Sequence, residues 1–169
     1  MAFTLHAAAL TPMRHMLGTL AHILSKGEAH CEARKIDPAV MLAARLYPDM
    51  LPLVTQVQIA SDASKGAAAR LAAVEIPKFE DNEQTFADCQ QRIRKTLAFL
   101  ETLKPEQFAG AESREITLTV RERTIKFSGQ DYLLTWALPN FFFHVTTAYA
   151  ILRHNGVEIG KSDYLGGGR

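Results

Sequence analysis

Three polar side chains fall where amphipathic helices should be apolar. Gln56 sits on the stripe Leu53, Gln56, Ile59, Ala60, Ala63, Ala67 and Leu71, whose spacing predicts a helix. Asn140 and His144 are four apart in the longest apolar stretch of the chain, so helical geometry stacks them on one face. If these two helices touch, the trio meets inside a bundle, where helical proteins build metal and ligand sites. An i, i+4 pair is also the spacing at which two helical ligands share one metal ion. The donors are poor for a transition metal, since one imidazole and two carboxamides supply one good ligand. His144 titrates near neutrality and is the candidate acid or base, with Gln56 and Asn140 orienting a substrate or a water. The structural alternative is that the three satisfy one another and a trapped water.

Trp136 and Asp49 complete the candidate pocket. Asp49 precedes the Gln56 helix, where a carboxylate favours the N-terminal dipole; ordering a pocket mouth is its functional alternative. Arg70, Arg153, Lys161 and Asp163 read with Asp49 as a solvated rim. His15 and His22 lie near one face of the first helix with no acid obviously paired, and His6, His30 and His154 sit near segment ends. Cys89 lies on a core stripe, and Cys31, near a helix end, is the cysteine expected to be exposed. No GxSxG, HExxH, Walker loop or Rossmann fingerprint is present, so any site must be assembled from separated helices.

Four long helices must position these residues. The first runs from about Ala8 to Ala29, with Thr11 as N-cap, Pro12 in the first turn and Gly27 as stop. Asp37-Pro38 opens a short helical turn, and Tyr47-Pro48-Asp49 reads as a loop. The Gln56 helix follows from about Leu51 to Ala73, and its alanines let a neighbour approach closely. Asp81 or Asn82 caps the third helix, which ends near Leu103 with Arg92, Arg94 and Lys95 on its solvated side. Residues 114–127 change to period two, which reads as a small hairpin turning at Arg121-Glu122, a lid or spacer. The fourth helix spans about Gln130 to Arg153 and stops at Asn155-Gly156. The stretch from Leu133 to Leu152 could reach across a bilayer, but Pro139, Asn140 and His144 interrupt it and no second such segment exists. Apolar residues on two faces of this helix instead suggest a homodimer interface or cover from the hairpin and tail. In the tail, Ile159, Tyr164 and Leu165 are expected to pack back. Gly166-Gly167-Gly168 is no phosphate loop, because no helix follows it.

Composition bounds the rest. The 169 residues fit one domain, 1–169, and a 47% hydrophobic fraction can build a core without staples. Nineteen Lys and Arg against eighteen Asp and Glu leave a formal charge of +1, which argues against nucleic-acid binding by phosphate neutralisation. Two cysteines with no CxxC exclude a disulfide scaffold and fit a cytoplasmic setting. The N-terminus shows no signal peptide. No membrane partner is expected.

Two stretches carry a family resemblance. One is Arg45-Leu46-Tyr47-Pro48-Asp49-Met50 followed by Gln56-Val57-Gln58. The other runs from Leu138-Pro139-Asn140-Phe141-Phe142-Phe143-His144 through Leu152-Arg153-His154-Asn155-Gly156. Over essentially its whole length the chain resembles an uncharacterised bacterial family of unknown function in the DinB/YfiT-like metalloenzyme superfamily. The resemblance implies an all-α, up-down-down-up four-helix bundle, often dimeric, with a hairpin before the last helix. Members with known activity are metal-dependent, some acting on low-molecular-weight thiols. Their metal site is typically three histidines, one on the second helix and two on the fourth. Those positions fall here on Gln56, Asn140 and His144, a degenerate site. The resulting expectation is an altered central pocket for a small molecule or a weakly held divalent metal. The alternative is a non-catalytic dimeric bundle whose polar trio is structural.

Overall fold

The computed structural model describes residues 4–120 and 122–167. It is an up-down-down-up four-helix bundle with a hairpin inserted before the last long helix. Arg121, Gly168 and Arg169, named above or in the tail, lie outside the described residues.

Helix α1 spans Leu5–Arg34, longer than expected at both ends. Its N-cap is Thr4, whose hydroxyl accepts from the Ala7 N–H, and not Thr11. Pro12 therefore lies inside the helix. A proline there removes one i to i−4 bond, but Met13, Met16, Leu17, Leu20, Ile23 and Leu24 are buried along the helix and hold it across the gap. Gly27 does not end it either. A Cβ at Gly27 would stand 2.8 Å from Leu152 Cδ2, so this glycine permits close helix approach, and the helix stops only at left-handed Lys35.

Asp37 caps the short helix α2 (Pro38–Ala43). Helix α3 is Leu53–Ala72. Helix α4 is Phe86–Thr102, capped by Thr85 and Asp88 in a reciprocal capping box. The expected caps Asp81 and Asn82 fall ahead of it; a Thr with an acid three residues on can satisfy two orphan amides where a lone acid satisfies one.

Strands β1 (Glu115–Val120) and β2 (Arg123–Ser128) pair antiparallel, with Ile116 opposite Phe127 and Leu118 opposite Ile125. Ile116 and Leu118 are buried. Phe127 packs on the rings of Tyr132 and Trp136 at 6.1 and 5.9 Å. The hairpin is therefore pinned to the helix that follows it.

That last helix is continuous but not uniform. It opens as α5 (Gly129–Asp131), widens into a π segment (Tyr132–Ala137) and continues as α6 (Leu138–His154). Pro139 supplies a physical reason. In a regular α-helix its ring would press on the carbonyl of Thr135, and the wider π turn, with Leu138 N–H donating to Leu133 O, relieves that crowding. Gly156, at φ +89°, terminates the run as expected. Among the described residues no helix is long and apolar enough to cross a membrane.

The tail folds back through α7 (Lys161–Tyr164). Ile159 is buried and Tyr164 packs against Tyr149, but Leu165 is exposed, contrary to expectation. Its backbone carbonyl, not its side chain, anchors it, accepting from His15 Nε2 at 3.0 Å.

Candidate functional site

Helices α3 and α6 do touch, and they run antiparallel. Gln56, near the start of α3, meets His144 of α6, while Arg70, near the end of α3, meets Tyr132 in the π segment. Gln56, Ala63 and Arg70 are spaced by sevens and share one stripe of α3.

Gln56 is 1% exposed and His144 9%. Gln56 Nε2 donates to Leu51 O at 2.9 Å, which turns Oε1 toward the imidazole. His144 Nδ1 lies 2.7 Å from that oxygen. An amide oxygen can only accept, so Nδ1 carries the proton and Nε2 keeps its lone pair. Burial pushes the His144 pKa below its ordinary value, so the ring is neutral at pH 7. The edge of the His144 ring meets Phe143 at 5.2 Å and 90°. The outcome is a neutral imidazole in one tautomer, with Nε2 unpartnered among the described residues.

Asn140 does not join them. It is exposed, and lines a separate cleft of about 260 Å3 between α3, the π segment and β1. Trp136, half-buried, lines the same cleft with Ala63, Arg70, Tyr132 and the β1 residues Thr117 and Thr119. Sharing a helix face with His144 thus does not give Asn140 the same burial. Asp49 is exposed in the loop before α3 and makes no hydrogen bond among the described residues. Nothing ties it to the cleft.

Comparison with known proteins bears on this arrangement. A family model described as a domain of unknown function, DUF1993, matches residues 5–165. The chain belongs to the DUF1993 family. It is also similar to a solved structure of a DinB family member protein from Shewanella denitrificans. The two are 41% identical over 95% of this chain and 91% of that one, with a TM-score of 0.90. No curated protein matches. The DinB-like bundle expected from the sequence is therefore shown, while the family description carries no activity.

In this DUF1993 chain the residues do not fit the three-ligand metal centre of the wider superfamily. Gln56 spends both ends of its amide, on Leu51 and on His144. Asn140 is turned to the cleft. No group of three His, Cys, Asp or Glu side chains that could hold a metal ion occurs among the described residues. His144 Nε2 remains as one donor, and one imidazole does not make a tight site.

The largest departure from expectation lies on the other side of α3. Arg92, placed by its spacing on a solvated face, is 2% exposed. Its guanidinium donates to Asp62 at 2.8 Å, Asp81 at 2.9 Å and Glu83 at 2.9 Å, and to the Glu80 carbonyl at 3.1 Å. Lys65, also buried, pairs with Asp62 at 2.6 Å and sits 4.2 Å from the Phe79 ring centre. Buried charges need such partners. Together they clamp the α3–α4 connection onto both helices. Two acids at 81 and 83, nine or more residues before an arginine on a helix, were the available signal.

The rim reading fails for Asp163 too. It is buried, and accepts from Lys26 at 2.5 Å, His22 at 3.4 Å and the Gly160 N–H at 2.8 Å. His22 thus has an acid partner after all, a tail residue 141 positions away. Both cysteines are fully buried, Cys31 included, contrary to its expected exposure. Burial raises both thiols, Cys89 to about 12, so neither is an activated nucleophile.

Proposed function

We propose that this DUF1993 protein is a small-molecule-binding DinB-type bundle in which one poised imidazole replaces the three-ligand metal centre. The observation that carries the reading is the Leu51–Gln56–His144 relay. It leaves a neutral Nε2 with a free lone pair on a residue one helical turn from Asn140, which opens onto the cleft with Trp136 and Arg70. A neutral imidazole of fixed tautomer can accept a proton from a bound molecule or hold its hydroxyl or amide hydrogen. Trp136 supplies an aromatic wall and Asn140 an amide that can donate and accept.

The test is a thermal-shift screen of small polar molecules on the wild type and on His144→Gln. A ligand that binds only the folded state raises its melting temperature. Hits whose shift disappears in His144→Gln support the reading. A screen in which no hit depends on His144 sinks it.

A second reading has its own observation. Leu134 and Phe143 on the last helix are 53% and 56% exposed, apolar surface that a partner could cover. A non-catalytic homodimer would cover them, with Gln56–His144 as a satisfied structural pair. Light scattering that shows a monomer at high concentration removes this alternative.

A further inference from the structure

The cleft between α3, the π segment and β1 contains one formal charge, and it is uncompensated. Arg70 is the charged residue among its described lining residues, which are otherwise apolar, hydroxyl, amide or aromatic. Arg70 makes no salt bridge among the described residues. Its one side-chain partner is the Tyr132 hydroxyl, 3.3 Å from Nη1. Tyr132 is buried, which raises its phenol above the ordinary value despite the nearby Arg70 charge, so it stays neutral and offers no counter-charge. Arg92, which is fully buried, has three acids around it.

Arg70 also lies over a bare stretch of backbone. Gly66 lies one helical turn before it, in the middle of α3, where glycine costs about 1 kcal/mol relative to alanine. A Cβ at Gly66 would stand 2.8 Å from Arg70 Nη1 and 3.8 Å from its Cζ. The missing Cβ leaves the guanidinium room to lie back along the helix over the Gly66 backbone. Residues 117–120 of β1, Asn140 of α6, Trp136 and Ala63 form the rest of its walls.

We propose that this cleft is a binding site for a small organic carboxylate with an apolar body. Arg70 takes the carboxylate, because a planar guanidinium fork matches two carboxylate oxygens. Tyr132 donates its hydroxyl hydrogen to the same group. Trp136 covers the apolar body, and the space, about 260 Å3, limits that body to a ring or a short branched chain. The inference goes beyond the imidazole reading above and does not depend on it: it needs Arg70 and the cleft, whose lining does not include His144.

Trp136 is the chain's one tryptophan, so its fluorescence reports on the cleft directly. Wild-type protein is titrated with isobutyrate, phenylacetate and benzoate, with the matching neutral amides, and with inorganic phosphate. Melting temperature is measured in parallel. Saturable changes with at least one carboxylate, at least tenfold weaker with its amide, are expected. Arg70→Gln should lose tenfold or more in affinity while melting like the wild type without ligand. Gly66→Ala should weaken binding several-fold by displacing the guanidinium, and Arg70→Lys should recover part of what Arg70→Gln loses. His144→Gln should bind carboxylate as the wild type does; this separates failure of the imidazole reading from failure of this one. No saturable binding of any carboxylate, equal binding of the amides, tighter binding of phosphate than of any carboxylate, or undiminished binding by Arg70→Gln overturns the proposal.

Discussion

Replacing Arg92 by alanine tests the placement of charge in this fold most directly. By spacing alone Arg92 resembles Arg94 two residues on, and the two changes should then cost the same. In the structure they differ. Arg92 is 2% exposed and Arg94 is exposed. Truncation at 92 removes contacts to Asp62, Asp81, Glu83 and the Glu80 carbonyl. Asp62 keeps Lys65 and is partly solvated, and Asp81 is exposed, so each loses little, well under 1 kcal/mol for a surface pair. Glu83 is different. Its side chain is 7% exposed, and without Arg92 its remaining side-chain donor is Gln58 at 2.8 Å. Breaking a buried pair by removing one partner costs about 3–5 kcal/mol; with one hydrogen bond surviving, the lower part of that range, about 3 kcal/mol, applies. At about 2–4 °C per kcal/mol for a domain of this size, the melting temperature should fall by roughly 6–12 °C.

The assay is urea and thermal unfolding of Arg92→Ala, Arg94→Ala, Glu83→Gln and the Arg92→Ala, Glu83→Gln double variant at pH 7. The double variant should regain part of the loss, because an amide left without a guanidinium is cheaper to bury than a carboxylate. The clamp also has a pH signature. Burial alone would push Glu83 up, but the hydrogen bonds from Gln58 and Arg92, with the Arg92 charge, outweigh it and hold its pKa below the ordinary value. A lowered carboxylate pKa stabilises the fold above the unfolded-state value, and the gain is lost as pH falls through the folded-state value. The gap between wild type and Arg92→Ala should therefore narrow on acidification. Equal destabilisation by Arg92→Ala and Arg94→Ala, or additive effects in the double variant, would refute the reasoning.

Two further outcomes follow from the tail and the π segment. Hydrogen bonds from Lys26 first, then from the Gly160 N–H, lower Asp163 to about 2, so tail docking should persist through mild acid and weaken only as pH falls toward that value; Asp163→Asn should raise amide exchange in residues 157–167 at neutral pH while leaving α3 and α4 protected. Pro139→Ala restores an N–H at the point that crowds the helix, so the π turn should revert toward α geometry, rotating Trp136 relative to α6, which a changed Trp136 emission without loss of helicity would reveal.

Much of this fold is written in periodicity. The stripe through Gln56 and the alternation at 116–120 report which neighbours each element needs, and both elements form within two residues of their expected bounds. Errors arise where the deciding partner is distant in sequence. Thr11-Pro12 has the local form of a helix start, yet the buried stripe on both sides carries the helix through. Gly27 has the form of a stop, but Leu152 needs its missing Cβ. Arg92 looks solvated until the 80–83 segment folds over it, and Asp163 looks like rim until Lys26 and His22 arrive from α1. Spacing along one element says nothing about a charge whose partner lies on another.

The polar trio shows the same limit at the site itself. An i, i+4 pair shares a direction, but burial depends on what stands opposite. His144 faces Gln56, whose amide fills the gap and fixes the ring. Farther toward the π segment the opposing α3 residue is Ala63, too small to fill the space. There the helices leave a cleft, and Asn140 and Trp136 open onto it. The alanines expected to bring two helices together do so at Ala60 and Ala67, which are buried, while Ala63 on the neighbouring stripe opens room. A centre that would place three side chains on one point is thus drawn out along the α3–α6 seam. Gln56 and Arg70 stand fourteen residues apart on α3, about 21 Å along the axis at 1.5 Å per residue, although the folded-back guanidinium shortens that span. An imidazole at one end and a guanidinium at the other cannot share a metal ion, and a carboxylate small enough for the cleft cannot reach both, so the seam offers two separate sites. Titrating carboxylate against His144→Gln and Arg70→Gln tests this: a loss in Arg70→Gln alone means two sites, and a loss in both would refute it.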